Sequence, residues 1–271
     1  MLNDTMNSLK IDDISKGVNK KIIKDNFSRY AHLYDRYSAI QSSCAEKLID
    51  QITPRCLKRI LEVGCGTGNY TRLLRDRFSA VKIKAVDISS KMIKVARTKL
   101  NVEQIEFIVA DAEKFNLKEK FDMVSSNASF QWFENLEESL AKYKKMLVKD
   151  GIILFSTFGP RTFWELHKSL EEFCGRSLEI SAGNFVDKVK IKHLLESLFR
   201  KSRIKEKIYK EQYSSLGELL KKIKYTGARG KGLTKRCFWT RNTVLGLENI
   251  YMRKFKAIVV TYQVFFCRGI R

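Results

Sequence analysis

Proline is almost missing from this chain: Pro54 and Pro160 are the two in 271 residues. No Gly/Ser-rich or Pro-rich tract is present either, so nothing reads as a linker between independent domains. Long apolar runs are also lacking. Stretches such as Gly151 to Phe155 and Ala257 to Val260 fall far short of the roughly 20 residues that span a bilayer, so no membrane segment is expected. The first 24 residues mix Asp12, Asp13, Lys16 and Lys20 with isolated hydrophobics, lack the apolar core of a secretory signal, and read as a polar extension. Six cysteines (Cys44, Cys56, Cys65, Cys174, Cys237, Cys267) form no Cys-x-x-Cys pair, and His32, His167 and His193 have no partner at ligand spacing. That pattern argues against a zinc site and a disulfide framework; the expectation is no metal, reduced thiols and a cytoplasmic protein.

Acidic residues are the scarce charge. Fifty-two Lys and Arg stand against 30 Asp and Glu, a formal net charge of +22, and residues 186–271 hold 22 of the basic residues and 6 of the acidic ones. A positive surface speeds encounter with anionic partners, among which nucleic acid, acidic lipid and an acidic protein all qualify. Biased coding toward lysine is the competing explanation, and composition alone does not separate the two.

What is present is 44% hydrophobic residues, enough for a sizeable core, arranged in alternating strand and helix patterns. Residues 25–52 suggest two short helices. Short apolar strands are then read at Arg59 to Val63, Val81 to Val86, Ile105 to Val109, Phe121 to Ser125 and Gly151 to Ser156. Helices fall between them at Asn69 to Phe78, Ser90 to Leu100 and Leu136 to Leu147. Helical stretches Thr162 to Cys174 and Lys188 to Phe199 follow. The strand Lys205 to Gln212, the helix Leu216 to Thr226 and the strand Val259 to Cys267 close the chain. The expectation is an α/β fold: a seven-stranded, mostly parallel sheet with helices on both faces. A helical segment, 25–57, precedes the alternating core, 58–158. A helical cap, 159–203, is inserted after the fifth strand, and strands and basic helices fill 204–271.

Glu62-x-Gly64-x-Gly66-x-Gly68 follows the first strand and opens a helix, so the backbone can approach a ligand without side-chain interference. The third glycine comes one position too early for the dinucleotide fingerprint, and no Gly-Lys-Ser/Thr follows for a P-loop. Asp87 closes the second strand and Asp111 the third. A carboxylate at the first place can accept hydrogen bonds from ribose hydroxyls, and a polar group at the second can reach an adenine amine. The alternative is that both aspartates are helix N-caps. Together with the glycine turn they favour S-adenosylmethionine.

Glu62-Val-Gly-Cys-Gly-Thr-Gly68 resembles the signature turn of class I S-adenosylmethionine-dependent (Rossmann-like) methyltransferases, a likeness covering residues 59–156. Three further segments resemble one subfamily, the malonyl-acyl-carrier-protein O-methyltransferases of biotin synthesis. These are Asn26-Phe-Ser-Arg-Tyr-Ala-His-Leu-Tyr-Asp-Arg-Tyr37 with Gln41; Ser126-Asn-Ala-Ser-Phe-Gln-Trp-Phe133 with Phe155-Ser-Thr-Phe-Gly159; and Lys224-Tyr-Thr-Gly-Ala-Arg229 with Thr261-Tyr-Gln-Val264.

That resemblance implies catalytic or substrate-facing roles for Tyr34, Asn127, Gln131 and Trp132. It implies cofactor contacts for Gln41, Glu62, Gly64, Gly66, Gly68, Asp87, Ile88, Met92, Asp111, Ala112 and Asn127. It implies methylation of the malonyl carboxylate on acyl carrier protein or coenzyme A, by a monomer without a stable nucleic-acid or membrane partner. A malonyl carboxylate is ionised at neutral pH, so such an enzyme needs alignment and not a general base. Acyl carrier proteins are acidic, which would give Lys221, Lys222, Lys224, Arg229 and Lys231 a docking role. Competing readings are a methyltransferase of another small carboxylic or aromatic acid, an RNA methyltransferase, and a silent nucleotide-binding module. The first of these would share the cofactor site and differ in the cap. Against the RNA enzyme, Ser126-Asn-Ala-Ser129 stands where a base-methylating tetrad would follow the fourth strand.

Overall fold

The computed structural model describes residues 19–52, 56–177, 180–228 and 240–271. Arg229, Lys231 and Cys237 lie outside the described residues. Three helices, α1 (Lys20–Arg29), α2 (Tyr34–Tyr37) and α3 (Ala39–Asp50), lead into the alternating core. The core runs β1 (Arg59–Val63), α4 (Asn69–Arg77), β2 (Lys82–Asp87), α5 (Ser90–Lys99), β3 (Ile105–Val109), β4 (Phe121–Asn127), α6 (Leu136–Met146) and β5 (Leu147–Phe158). Then come α7 (Trp164–Cys174), α8 (Lys188–Leu198), β6 (Lys201–Tyr213), α9 (Leu216–Tyr225), α10 (Arg241–Phe255) and β7 (Ile258–Ile270).

All seven strands form one sheet in the order β3-β2-β1-β4-β5-β7-β6, parallel through β5 and antiparallel at β7. The central strands are nearly continuous apolar runs because both faces are covered. One face packs residues of α3, α4, α5, α7, α9 and α10; the other packs α6 and α8. The order reverses between β1 and β4, and a crevice opens there at the carboxyl ends of the strands, the usual ligand position in such sheets.

Three details depart from the sequence reading. The first helix begins at Lys20, with Asn19 accepting from the Ile22 amide as its cap, so five residues assigned to the polar extension belong to the helical segment. The insertion after β5 divides its work: α7 lies beside α10 near the crevice, whereas Ile191, Leu194 and Leu195 of α8 are buried against the other sheet face. β5 begins at Leu147, four residues before the strand read from Gly151, and carries an irregularity near its start, with a register shift opposite Phe121 and Met123 and Asp150 at φ 58°. No helix among the described residues is long and apolar enough to cross a membrane.

The N-terminal helices close over the crevice. Asp35, next to Tyr34, accepts from Thr67 Oγ1 at 2.5 Å, Asn69 Nδ2 at 2.9 Å and Lys99 Nζ at 2.5 Å, tying α2 to the glycine turn and to α5. Ser28 and Ser89 hydroxyls share a 2.7 Å hydrogen bond. At Gly227 (φ 69°), after α9, an added Cβ would meet the Phe27 ring at 2.8 Å, so glycine there lets the chain touch the lid helix.

Candidate active site

The chain turns at the end of β1 through Gly64, Gly66 and Gly68, all at positive φ. Gly64 and Cys65 amides donate to Val86 O, and the Gly66 amide donates to Asp87 Oδ2 at 2.9 Å. A Cβ at Gly64 would collide with Ser129, whereas the space beside Gly66 is open. Gly68 precedes α4 with no side-chain cap. The loop is thereby held under β2 with its free edge toward the crevice.

Asp87 Oδ1 accepts from the Ser89 amide at 2.8 Å, and it is Ser89, not Asp87, that caps α5. Asp111 starts no helix; its carboxylate accepts from the Glu113 amide. The capping alternative fails for both aspartates. Both oxygens of Asp87, and Oδ2 of Asp111, have a further lone pair for a ligand donor; Asp111 Oδ1 is filled by Lys20 and the Glu113 amide. Burial raises the Asp87 carboxyl above its ordinary value against the two amide hydrogen bonds. At Asp111, burial opposes ionisation, but the hydrogen bond from Lys20 leads the contributions that hold the carboxyl below its ordinary value.

Lys20, in the first turn of α1, bridges Asp111 (2.6 Å) and Glu113 (2.5 Å). Sequence reading missed it, because a lysine in a polar run carries no local signal. Asp35 carries no local signal either, since its three partners come from elsewhere in the chain.

Two clefts adjoin. The first is lined by Gly64, Gly66, Asp87, Ile88, Met92, Asp111, Ala112 and Asn127, with Lys20, Ile23 and Phe133. The second, more apolar, is bounded by Phe158, Phe163, Leu166, Ile180 and Phe185, with Gln41, Gln131 and Lys222. Phe27, Tyr34, Ala128 and Trp132 line both, so an atom passing between two ligands would cross there. Ala128, at φ 51°, is held by hydrogen bonds from its amide to Ser156 and from Gln131 Nε2 to its carbonyl. The left-handed backbone makes the sharp corner at the end of β4.

Tyr34 sits at the junction with its ring tilted against Phe27, and its hydroxyl makes no hydrogen bond among the described residues. Burial pushes that hydroxyl's pKa well up, so it stays a donor at neutral pH. Trp132 packs edge-on to Phe27 and Phe185. Asn127 and Gln131 are more committed than the sequence implied. Asn127 donates to Gln41 O and accepts from Ser156 Oγ; Gln131 donates to Ala128 O and accepts from Thr157 Oγ1 at 3.3 Å. Both brace the corner while lining the clefts.

Glu62 and Gly68 stand behind the first cleft and outside its lining. Glu62 Oε2 and Gln41 Oε1 are buried with no hydrogen-bond partner. Thr71 Oγ1, buried beside Glu62, is unpartnered too and can serve as its donor, so it is Gln41 Oε1 that calls for a missing one. Two carboxylates, an open glycine edge and apolar Ile88 and Met92 fit a nucleoside carrying a cationic tail.

Burial raises the Glu62 carboxyl to about 8. The folded protein keeps this proton up to about pH 8 while the unfolded chain releases it near 4.5, so Glu62's contribution to stability falls as pH rises across that window. A bound cation favours the carboxylate. At pH 7 a cationic nucleoside should therefore release a proton on binding, seen as buffer-dependent heat in calorimetry, and Glu62→Gln should abolish that release. Equal release from both proteins would remove Glu62 from the cofactor site.

A methyltransferase domain model matches residues 61–155. Malonyl-acyl-carrier-protein O-methyltransferase of Bacillus cytotoxicus is 34% identical over 92% of this chain and 91% of its own. Among solved structures, the YcgJ protein of Bacillus subtilis superposes with a TM-score of 0.60 at 14% identity, covering 84% of this chain and 98% of that one. Phosphoethanolamine N-methyltransferase 2 of Haemonchus contortus, solved with S-adenosyl-L-methionine, gives a TM-score of 0.55 at 16% identity over 89% of this chain and 57% of that one. At those identities the two structures speak for the fold.

Proposed function

From a chain that belongs to the malonyl-acyl-carrier-protein O-methyltransferase family, we propose an enzyme that transfers the methyl group of S-adenosylmethionine to the free carboxylate of a malonyl thioester, the product entering biotin synthesis. The observation that carries this reading is the junction of the two clefts at Tyr34, Ala128 and Trp132, with a donor hydroxyl left over at the crossing.

S-adenosylmethionine, when bound, supplies an electrophilic methyl on a sulfonium. The protein's part is binding, alignment and exclusion of water. Asp87 would accept from ribose hydroxyls, Asp111 would accept from the adenine amine beside Lys20, and the glycine edge would let the ligand lie against backbone. Gln41 offers its orphaned oxygen to the amino-acid portion, and Glu62, behind the cleft wall, acts on the cationic tail through space. The lid helices α1 and α2 close the site, and Tyr34 donates to the malonyl group so that one carboxylate oxygen faces the methyl. No general base is needed. The ester hides a charge that apolar acyl pockets would otherwise reject.

The experiment offers methyl-labelled S-adenosylmethionine with malonyl-acyl carrier protein, malonyl-coenzyme A or a simple aromatic acid, in separate reactions. Label on a malonyl thioester, removed by esterase, supports the reading. Label on the aromatic acid alone assigns the site to another acid.

A further inference from the structure

The inward face of α9 carries Leu216, Leu219 and Ile223, each buried, and Lys222 lies among them at 8% exposure. A helical lysine ordinarily reaches solvent, as the exposed Lys221 does. Lys222 is thus not part of the carrier-docking surface that the sequence suggested. Lys222 lines the second cleft, where it is the charged residue among the described residues of the lining. It contacts Glu211, and the rings of Tyr262 and Tyr213 lie 5.5 and 5.7 Å away. Glu211 also accepts from the Tyr213 hydroxyl. Among the described residues Glu211 is the acceptor for Lys222, so two ammonium protons have none. Burying a lysine and a glutamate is not a stabilising device in itself, because desolvation offsets their attraction. Here the arrangement brings a cation, held in place by an internal counter-ion, to a cleft whose other described lining residues are uncharged.

We propose that Lys222 anchors the substrate's carboxylate in the second cleft and makes the enzyme discriminate between the acid it methylates and the ester it releases. This rests on the malonyl reading above. One carboxylate oxygen bonds to Lys222 while the other faces the methyl at the Tyr34 junction; α9 packs against α2, which carries Tyr34. In the transfer the oxygen–carbon bond forms as the sulfur–carbon bond breaks. The negative charge of the carboxylate and the positive charge of the sulfonium both vanish, and no proton moves. The ester has no charge for Lys222 to hold, the ammonium returns wholly to Glu211, and product leaves.

The test measures binding of malonyl-acyl carrier protein and of its methyl ester to the full chain loaded with S-adenosylhomocysteine. The wild type should prefer the acid by about tenfold or more, the range of a charge-assisted hydrogen bond. Lys222→Met should bring the ratio near one while leaving cofactor affinity unchanged, and Lys222→Arg should keep the preference. An acid preference retained in Lys222→Met, or absent from the wild type, would overturn the anchor. If Lys222→Met no longer binds cofactor, Glu211→Gln carries the test. With the competing anion gone the acid preference should rise, and a preference that stays level or falls would overturn the proposal. Failure of the wild type to methylate any malonyl thioester counts against the parent reading instead, and the labelling experiment reads it separately.

Discussion

Asp87→Ala should cost at least two orders of magnitude in affinity for S-adenosylmethionine. Asp87 joins the end of β2 to the glycine turn through the Gly66 amide and to the start of α5 through the Ser89 amide. Alanine leaves both donors unpaired beside the cleft, at about 1–3 kcal/mol each. It also removes the carboxylate offered to the ribose, where each charge-assisted hydrogen bond is worth about 1.5–3 kcal/mol. Two such bonds, one to each ribose hydroxyl, sum to about 3–6 kcal/mol, more than the roughly 2.7 kcal/mol that a hundredfold change represents, whereas the unpaired amides are a loss of stability. Calorimetric titration checks the affinity, and a thermal melt without cofactor should show a midpoint lowered by several degrees. An affinity within about threefold of wild type would mean that the ribose lies elsewhere.

Tyr34→Phe should lower the transfer rate about a hundredfold while leaving cofactor affinity nearly unchanged, the cost typical of losing one donor aimed at reacting groups. The ring keeps its packing on Phe27, and Asp35 still fastens α2 to Thr67, Asn69 and Lys99, so the lid should close as before. What is lost is a hydroxyl with no other partner among the described residues. Single-turnover rates at saturating substrate separate this from a binding defect. An unchanged rate would make Tyr34 part of the lid's packing and nothing more.

Much of the fold was legible because its signals are local. Apolar runs of five or six residues bounded by turns, with amphipathic helices between them, place β1 to β4 and α4 to α9 within a few residues of where they lie. Glycines at fixed spacing after a strand and aspartates at two strand ends are patterns along the chain, and the sheet brings them into one crevice. The missed features depend on contacts distant in sequence. Lys20 finds its partners 91 and 93 residues away, in a loop no window would join to it. Lys222 looks like one member of a basic run, and its direction follows from which face of α9 packs inward. Asn127 and Gln131 were legible as lining residues, but their hydrogen bonds to Gln41 O, Ser156, Ala128 and Thr157 follow from how β4, β5 and α3 meet.

Electrostatics divides the same way. The excess of basic residues is plain in composition, yet the described cations that line the two clefts, Lys20 and Lys222, are both turned inward and paired with carboxylates. Net charge describes encounter with a partner; it does not describe these two positions.

The central claim is tested most directly by mass spectrometry of malonyl-acyl carrier protein after incubation with the enzyme and S-adenosylmethionine. The account predicts a gain of one methyl group on the malonyl moiety, reversed by esterase. Cofactor binding with no mass gain on the malonyl carrier would contradict it and leave the second cleft to a different acid.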